Sequence, residues 1–403
     1  MRSAPQAHDL FQTAFGDLPA ILASAPGRIE VLGNHTDYNH GLVLSCAAGA
    51  RTAAAVSTAA DGRVVGVSAN LAGGRRTFAV AEAEEPGAPG DWANYLRGLV
   101  AALRRRGVEV PGLRIAVATR LPLAAGLSSS AALTTSVLVA LDRLLTLGLD
   151  RQEMARIGQE AEGRGVGVRC GLLDPLTCLF GTEGHLLLTD FEDLSRATLP
   201  MPDGLVFVLA DSGVRHDLRV EYNERRLSCE AAARAIAEKR PEVRSLRQVG
   251  LADLAALNGA VPERVRRRAR HVIAENERVR RAVDCLRAAD SSGLGQLLLD
   301  SHRSSRADFE NSCPELDRLV DFGAADPRCF GARLSGAGFG GVTIHLVEAG
   351  LASAYAADLG DRIEAAAGRR PWTAVCRPGA GARLEDLAAG LERDPDQQDE
   401  TAS

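Results

Sequence analysis

The sequence predicts a folded protein that mixes helices and strands, either as two domains or as one large α/β body with two lobes. The chain has 403 residues, which is too many for one ordinary hydrophobic core. Its composition, 46% hydrophobic and 25% charged residues, is that of a folded protein. Strand-like apolar segments alternate with segments of helical period along most of the chain.

Composition and charge also limit the classes of function and the cellular location that we expect. The formal net charge is -5, so there is no basic surplus to attract nucleic acid. The eight cysteines are scattered and include no C-x-x-C pair, which favours free thiols in a reducing compartment over disulfides or a zinc site. No secretory signal stands at the N-terminus, and no window approaches the roughly 20 apolar residues of a membrane span. We therefore expect a cytoplasmic protein with no nucleic-acid or membrane partner.

In chain order, the first elements are an amphipathic helix within residues 1–20 and strands at 42–56 and 63–67. A helix follows at 92–106, with Trp92 on its apolar face, and then a strand at 113–119. Trp92 has two interpretations, a core or lobe-packing tryptophan or a contact to a cofactor, and the first is favoured.

The polar stretch at 25–39 reads A-P-G-R-I-E-V-L-G-N-H-T-D-Y-N. It concentrates charged and amide side chains between strand-like segments, at Arg28, Glu30, Asn34, His35 and Asp37. This density predicts a substrate-binding turn between two strands. The alternative is a surface hairpin with incidental charges.

The stretch 121–133 reads L-P-L-A-A-G-L-S-S-S-A-A-L. A strand, a glycine turn, three serines and a run of helix formers are typical of an anion site, because the first helix amides lack intrahelical acceptors. Serine hydroxyls add donors, and one can reach a phosphate-bound magnesium ion. The pattern is not Walker A, since no G-K-[ST] follows the glycine. A serine-capped helix with a flexible entry is the alternative.

Asp174 is the lone acid in C-G-L-L-D-P-L, residues 170–176. A buried carboxylate requires a partner or a function. The alternative is a helix N-cap, because aspartate followed by proline suits the start of a helix.

The second half begins with strands at 185–189 and 204–210, and the latter opens a second lobe. Helices are expected at 222–239, 285–305 and 315–323, and the arginine-rich run 265–271 is expected to form a solvated helix face. Residues 331–341, G-A-R-L-S-G-A-G-F-G-G, imply a backbone that bends sharply or admits a ligand. A plain tight loop is the alternative. The tail beyond 391 is expected to be disordered.

Three glycine- or serine-rich stretches in this order resemble those of the GHMP small-molecule kinases, and within them the galactokinases. The first stretch is similar to the galactokinase signature G-R-V-N-L-I-G-E-H-T-D-Y-N, the second to the family's phosphate loop and the third to its C-terminal glycine loop. Further similar segments are W-A-N-Y at Trp92, E-G-H-L-L-L at Glu183, S-G-V-R-H at Ser212 and S-C-P-E-L-D at Ser312.

The resemblance implies a two-lobed α+β fold, with an N-terminal lobe at 1–200, a C-terminal lobe at 201–390 and the active site in the cleft between them. It implies ATP, Mg²⁺ and phosphorylation of a monosaccharide at its C1 hydroxyl, most directly galactose. A monomer is favoured.

Site residues follow from the same resemblance. Arg28 and Asp174 match the catalytic pair, with Asp174 as the proposed base. Substrate-binding positions are Glu30, Asn34, His35, Asp37, Gly171 and Tyr222. Positions for ATP and its phosphates are Trp92, Gly126, Leu127, Ser128, Ser129, Ser130, Ala131, Gly336 and Gly338. Ser129 and Glu162 match the metal positions.

The chain departs from the signature where glutamate is replaced by Asn34 and asparagine by Glu30. In the family that glutamate contacts the far end of the sugar. One hypothesis is that the two residues face one polar network, which the exchange preserves. The rival is that Asn34 admits a different substituent, so a related sugar such as N-acetylgalactosamine is an alternative substrate. Pro175 and Ser45 also depart from the pattern. A non-catalytic sugar sensor is disfavoured, because Arg28, Asp174 and the three serines are all present.

Overall fold

The computed structural model has two antiparallel-rich sheets covered by helices, which confirms the α+β fold class. It describes residues 3–70, 74–122, 126–165, 171–215 and 219–387. The predicted disordered tail beyond 391 lies outside these residues, as do Cys170 and 123–125.

The helices that the structure describes include one long helix, α7, of 25 residues. Their bounds are α1 (Ser3–Phe15), α2 (Ala93–Arg105), α3 (Ser129–Leu145), α4 (Arg151–Gly165), α5 (Leu173–Phe180), α6 (Arg219–Ala237), α7 (Glu263–Arg287), α8 (Ser291–Ser304), α9 (Pro314–Ala324) and α10 (Ala352–Ala367). One turn of π-helix, Ser305–Phe309, extends α8, and short 3-10 turns lie at Asp37–Asn39, Val80–Glu82, Leu246–Gln248 and Leu251–Leu257.

The strands fall into two sheets. Their bounds are β1 (Ile21–Leu32), β2 (Leu42–Ala59), β3 (Arg63–Ser68), β4 (Arg76–Ala79), β5 (Gly112–Thr119), β6 (His185–Asp190), β7 (Arg196–Pro200), β8 (Leu205–Asp211), β9 (Cys329–Ser335), β10 (Val342–Glu348), β11 (Thr373–Cys376) and β12 (Arg383–Leu384). The first sheet has the order β12-β1-β2-β5-β3-β4, and β6 joins it through β2 and carries β7. The second has the order β11-β8-β10-β9.

The second sheet begins at β8, but the chain returns to the first sheet at its end, where β12 pairs with β1. The lobe boundary predicted at residue 200 stays a prediction. The return of β12 means that the last described residues belong to the first sheet.

An apolar core continues across the two lobes. On β8 and β10, alternate side chains face opposite sides of the sheet, as a pleated strand requires. Phe207 and Ile344 join Ile29 and Leu44 of the first sheet in one buried cluster, together with apolar residues of α7 and α8. The opposite face of the second sheet packs on α10. The two lobes are therefore held in register by shared hydrophobic burial.

Most predicted elements are confirmed, but two expectations for the second half are wrong. The helix expected at 285–305 is two helices, because α7 ends at Arg287 and α8 starts at Ser291. The arginine-rich run is not a purely solvated face, since Arg268 and His271 are 1% and 0% exposed. Both lie on the stripe of α7 that packs against other elements.

Two expectations from composition can be compared with the structure. The seven cysteines within the described residues are all free thiols, as predicted. None of the described helices is long and apolar enough to cross a membrane.

Candidate active site

Residues 33–41, here called the β1–β2 turn, connect the first two strands as predicted. Arg28 and Glu30 lie on β1 itself, so the polar stretch consists of a strand end and the turn that follows it. The pairing of β1 with β2 shifts register between Pro26 and Arg28 and again between Glu30 and Leu32. Such irregularities re-aim side chains, and they are frequent beside functional sites.

Asp174 is held by donors from two other elements. Arg28 Nε donates to Asp174 Oδ1 at 2.7 Å, and Arg28 Nη2 lies 2.5 Å from the same oxygen. Ser128 Oγ donates to Asp174 Oδ2 at 2.5 Å. The Arg28 side chain is 8% exposed and that of Asp174 is 23% exposed. The carboxylate is therefore fixed in orientation and still partly exposed to solvent.

The N-cap alternative for Asp174 is wrong. Helix α5 has Leu172 as its N-cap, and Asp174 is the second helical residue. Pro175 follows in the first turn, where its missing N–H removes no intrahelical hydrogen bond. The aspartate therefore projects from a helix start toward Arg28 and Ser128.

The described part of the predicted phosphate loop, residues 126–131, is anchored to β1. Gly126 O accepts a hydrogen bond from Arg28 Nη1 and Leu127 O accepts one from the Arg28 backbone N–H, both at 3.0 Å. Ser128 has φ +55°, an uncommon conformation outside glycine that often marks functional sites. Its hydroxyl points to Asp174 and does not cap α3. Ser129, Ser130 and Ala131 form the first turn of α3, whose N-terminus suits an anion.

The predicted metal positions can be tested against the chemistry that Mg²⁺ prefers. Ser130 Oγ donates to Glu162 Oε2 at 3.4 Å, and Glu162 is 8% exposed. Hydroxyl and carboxylate oxygens are hard ligands, and Mg²⁺ in kinases takes few protein ligands beside phosphate and water. Across the residues that the structure describes, no group of three or more His, Cys, Asp or Glu could hold a metal by itself. Ser129 and Ser130 at the start of α3, with Glu162 of α4 beside Ser130, therefore fit a phosphate-bound magnesium ion.

Asp37 and Gly171 lie in direct contact. A Cβ added to Gly171 would lie 1.8 Å from Asp37 Oδ2, so no larger residue fits there without displacing the carboxylate. Burial and the nearby negative charges of Glu30 and Asp174 together raise the pKa of Asp37 to about 7, against the opposing effects of the Tyr38 backbone N–H and the charge of Arg28. Asp37 is thus a carboxyl group that titrates near neutral pH.

His35 is a neutral imidazole inside an aromatic cluster. Burial lowers the pKa of His35 to about 3. Its Nε2 lies 3.0 Å from the carbonyl of Ala337, which can only accept, so Nδ1 accepts from Tyr38 Oη at 2.9 Å. The ring centroids of Phe309 and Tyr222 lie 4.5 and 5.3 Å from that of His35. Tyr222 from α6 therefore does join the β1–β2 turn, and both nitrogens of His35 bond within the protein.

Trp92 belongs to the hydrophobic core of the first lobe, with 8% exposure. Its ring packs so closely on β3 that a Cβ at Gly66 would lie 2.8 Å from Trp92 Cη2. Its buried indole Nε1 has no hydrogen-bond partner among the described residues. The packing role favoured from the sequence is confirmed, and a contact to the nucleotide stays a prediction.

Residues 336–341, here called the glycine loop, meet the phosphate loop at Arg28. A Cβ on Gly336 would lie 3.2 Å from both Arg28 Nη1 and Gly126 O. Gly338 has φ +83°, and a Cβ there would lie 2.1 Å from Asn311 O, so the position requires glycine. The two loops that the sequence singled out for phosphate are therefore neighbours in space.

Glu30 and Asn34 belong to one hydrogen-bonded network, as the sequence hypothesis held. Asn34 Nδ2 donates to Glu30 Oε1 at 2.7 Å and to Gly336 O at 2.8 Å. Asn34 is 0% and Glu30 4% exposed. Their contact to a sugar stays a prediction.

Several polar residues that support the site were missed from the sequence. Glu275 and His271 of α7 are 0% exposed and bond the β1–β2 turn through Gly33 N, Asn34 N and Asn34 O. The signal was present, because these polar residues fall on the face that also carries the apolar Val272 and Val279. The predicted residues in 123–125 and the end of the S-G-V-R-H segment at His216 lie outside the described part of the chain.

Comparison with known proteins identifies the family. A model of the GHMP kinases N terminal domain matches residues 94–182, one of the GHMP kinases C terminal domain matches 282–364, and the galactokinase galactose-binding signature matches 9–58. A galactokinase of Roseiflexus sp. is 38% identical over 394 residues, covering 97% of this chain and 100% of the relative. A human galactokinase is 38% identical over 355 residues, covering 86% of this chain and 88% of the relative.

Solved structures agree with these matches. The structure of Lactococcus lactis galactokinase complexed with galactose has a TM-score of 0.89 and 30% identity, covering 94% of this chain and 98% of that one. A mevalonate kinase of Methanococcus jannaschii, at 17% identity and a TM-score of 0.64, shares the fold over 89% of this chain and 98% of its own. The chain therefore belongs to the galactokinase family of the GHMP kinases.

Proposed function

We propose that the protein transfers the γ-phosphoryl group of ATP to the C1 hydroxyl of galactose. One observation carries the proposal: Asp174 is held between Arg28 and Ser128 at the start of α3, where a helix N-terminus meets the glycine loop. An oriented carboxylate beside an anion site suits phosphoryl transfer to an alcohol.

In the proposed reaction the C1 oxygen forms a bond to the γ-phosphorus while the bond from that phosphorus to the bridging oxygen of ADP breaks. Asp174 holds the C1 hydroxyl in line and accepts its proton. Arg28, ion-paired to Asp174 and buried, offsets charge on the transferring group. Loose phosphoryl-transfer transition states demand little activation of the nucleophile, so positioning accounts for most of the role of Asp174.

The phosphates of ATP would lie against residues 126–131 and the glycine loop at Gly336 and Gly338, with Trp92 close to the nucleotide. Ser129, Ser130 and Glu162 would hold Mg²⁺, which when bound neutralises phosphate charge. Asp37 and Tyr222 supply a carboxylate and a ring at the wall where the sugar would bind. Gly171 leaves the space that Asp37 occupies.

The test is a substrate panel with ATP and Mg²⁺ that compares galactose with 6-deoxy, 2-amino, N-acetylated and uronic analogues. Galactose should give the highest kcat/KM. A related sugar that exceeds galactose by about tenfold, the size of preference a few contacts can produce, contradicts the galactose assignment. ATP and sugar binding without turnover contradicts the kinase assignment and identifies a sensor.

A further inference from the structure

The side-chain amide of Asn34 has no hydrogen-bonding capacity left for a ligand. Its two N–H groups are matched by Glu30 Oε1 and Gly336 O. Its oxygen accepts from Asn311 Nδ2 at 2.9 Å and from Ser305 Oγ at 3.5 Å. A primary amide offers two donors and two acceptor lone pairs; both donors and one lone pair are matched at 2.7–2.9 Å, and Ser305 Oγ lies at a longer 3.5 Å beside the other. Asn34 therefore joins protein segments to one another.

Glu30 is matched on its other side by a buried cation. Both terminal nitrogens of Arg333 lie 3.3 Å from Glu30 Oε1, and Nη1 also donates to Val31 O at 2.9 Å. Arg333 is 0% exposed. Burial raises the pKa of Glu30, and the positive charges of Arg333 and Arg28 oppose that rise. One carboxylate here balances a guanidinium that has no access to water.

The same residues tie the β1–β2 turn to the glycine loop. Besides the Asn34 bond to Gly336 O, Ala337 O accepts from His35 Nε2 and from Asn311 Nδ2, both at 3.0 Å. The Phe339 backbone N–H donates to Asn311 O at 2.6 Å. The loop placed at the nucleotide and the turn placed at the sugar are thus joined by direct hydrogen bonds.

We propose that Glu30 and Asn34 act as one positioning unit, held by Arg333 and Asn311, that couples sugar binding to nucleotide binding. The proposal rests on the proposed function of the two loops. It gives the exchange of residue types a physical meaning: the unit needs one carboxylate and one amide, and it tolerates either order. Single changes break it, because they leave two carboxylates together or Arg333 without its direct ion-pair partner.

Each single variant has a specific defect. Asn34→Glu places a second carboxylate beside Glu30 and against the carbonyl of Gly336, where like charges and facing acceptors repel. Glu30→Asn leaves the buried Arg333 without its ion pair. The double variant E30N/N34E restores one carboxylate and one amide next to Arg333, in the order that galactokinases use.

The experiment compares wild type, the two single variants and the double variant. Each single change should lower kcat/KM for galactose on the order of 100-fold, and the double variant should recover to within about tenfold of wild type. Binding of a non-hydrolysable ATP analogue is then measured calorimetrically with and without galactose. Galactose should tighten it in wild type and in the double variant, and this effect should be lost in the singles.

A variant that is merely destabilised should keep the effect of galactose on nucleotide affinity, so a control with a purely structural defect is needed. Thr343→Val serves as a matched control, because Thr343 is buried and bonds His345 in the core of the second lobe. This variant should lower the melting temperature without changing the effect of galactose on nucleotide affinity. If a single variant fails to fold, the isosteric set N34D, E30Q and E30Q/N34D replaces it and carries the same expectation.

Two results overturn the proposal. A gain in kcat/KM for galactose in Asn34→Glu alone would mean that position 34 merely lacks a sugar ligand. A double variant no better than the worse single would mean that the two residues do not act together. If wild type does not phosphorylate galactose, the proposed function fails separately, and recovery of the melting temperature in the double variant still tests the pair.

Discussion

Replacing Glu275 with glutamine should lower the free energy of unfolding by more than the loss of one ordinary hydrogen bond would. Glu275 projects from α7 to the start of the β1–β2 turn and is 0% exposed. Its Oε1 accepts from the backbone N–H groups of Gly33 and Asn34 at 3.0 and 3.2 Å, and from Ser301 Oγ at 2.7 Å. Its Oε2 accepts from Arg278 Nε at 2.5 Å.

The size of the loss in unfolding free energy depends on Arg278, which the amide leaves without a carboxylate partner. Glutamine can keep the three bonds to Oε1, but its NH₂ group would face the guanidinium of Arg278, which is 12% exposed. Breaking a buried ion pair by removing one partner costs about 3–5 kcal/mol. We therefore expect Glu275→Gln to lower the free energy of unfolding by about that amount.

The pH dependence has a definite sign. Burial opposes ionisation of Glu275, but the positive charge of Arg278 and the hydrogen bond from Ser301 hold its pKa well below the usual range. A depressed pKa stabilises the folded protein above the unfolded-state value of about 4.3, and that stability is lost as pH falls below it. The difference between wild type and variant should be constant from neutral pH down to about 5 and shrink below about pH 4.3.

The assay is urea unfolding followed by far-UV circular dichroism at several pH values. Glu277→Gln is the matched control, because Glu277 pairs with Arg280 on the same helix with its side chain 58% exposed. That change should cost less than about 0.5 kcal/mol. A loss in Glu275→Gln as small as in the control, or one that grows toward acid pH, would show that the buried ion pair between Glu275 and Arg278 does not supply this stability.

Three further predictions concern the site. Asp174→Asn should lower kcat by about 10²–10⁴-fold with little change in affinity for an ATP analogue, and full activity in this variant would overturn the assigned role. Because the pKa of Asp37 is raised to about 7, kcat/KM for galactose should increase as pH rises through 7 and then level off. Asp37→Asn should lack this pH-dependent increase, and a flat wild-type profile would count against Asp37 as a sugar ligand. Gly171→Ala should lower kcat/KM for galactose by about 100-fold, because the methyl group collides with Asp37 Oδ2. Gly49→Ala, which has open space around the added methyl group, should leave kcat/KM unchanged, and equal losses in both variants would contradict the role of the collision.

The parts of the site that could be predicted from the sequence are those in which one short segment contains all the residues that define its chemistry. The strand, glycine turn and serine run at 121–133 predicted a helix N-terminus near an anion, and α3 begins there at Ser129. The β1–β2 turn was equally local. Arg28 and Asp174, 146 positions apart, were paired through resemblance, and the structure brings them to 2.7 Å.

What sequence reasoning missed depends on packing between distant elements. Arg268 and His271 were placed on a solvated face because the arginine-rich run has acids close by in the sequence, but helical rotation turns these two side chains inward. The apolar face of α7 indicated that Glu275 is buried, but no local pattern identifies the partners that Glu275 and Arg333, both 0% exposed, meet in the other lobe. Buried polar networks of this kind are fixed by tertiary contacts, so local propensity does not reveal them.

The role of Asn34 is another case in which contacts between distant elements decide the interpretation. From the sequence it could either preserve a polar network or admit a different sugar. Only the positions of Glu30, Gly336 and Asn311 around it show that its amide is matched on both sides. The departure from the family signature is therefore interpretable as packing.

The proposed function centres on phosphoryl transfer to the C1 oxygen at Asp174. It is tested most directly by phosphorus–proton correlation NMR of the product formed from galactose, ATP and Mg²⁺, with Asp174→Asn run in parallel. We expect a phosphorus signal coupled to the anomeric proton in wild type and almost none in the variant. A phosphate coupled to another sugar carbon's proton, or the same anomeric product formed at the wild-type rate by Asp174→Asn, would contradict it.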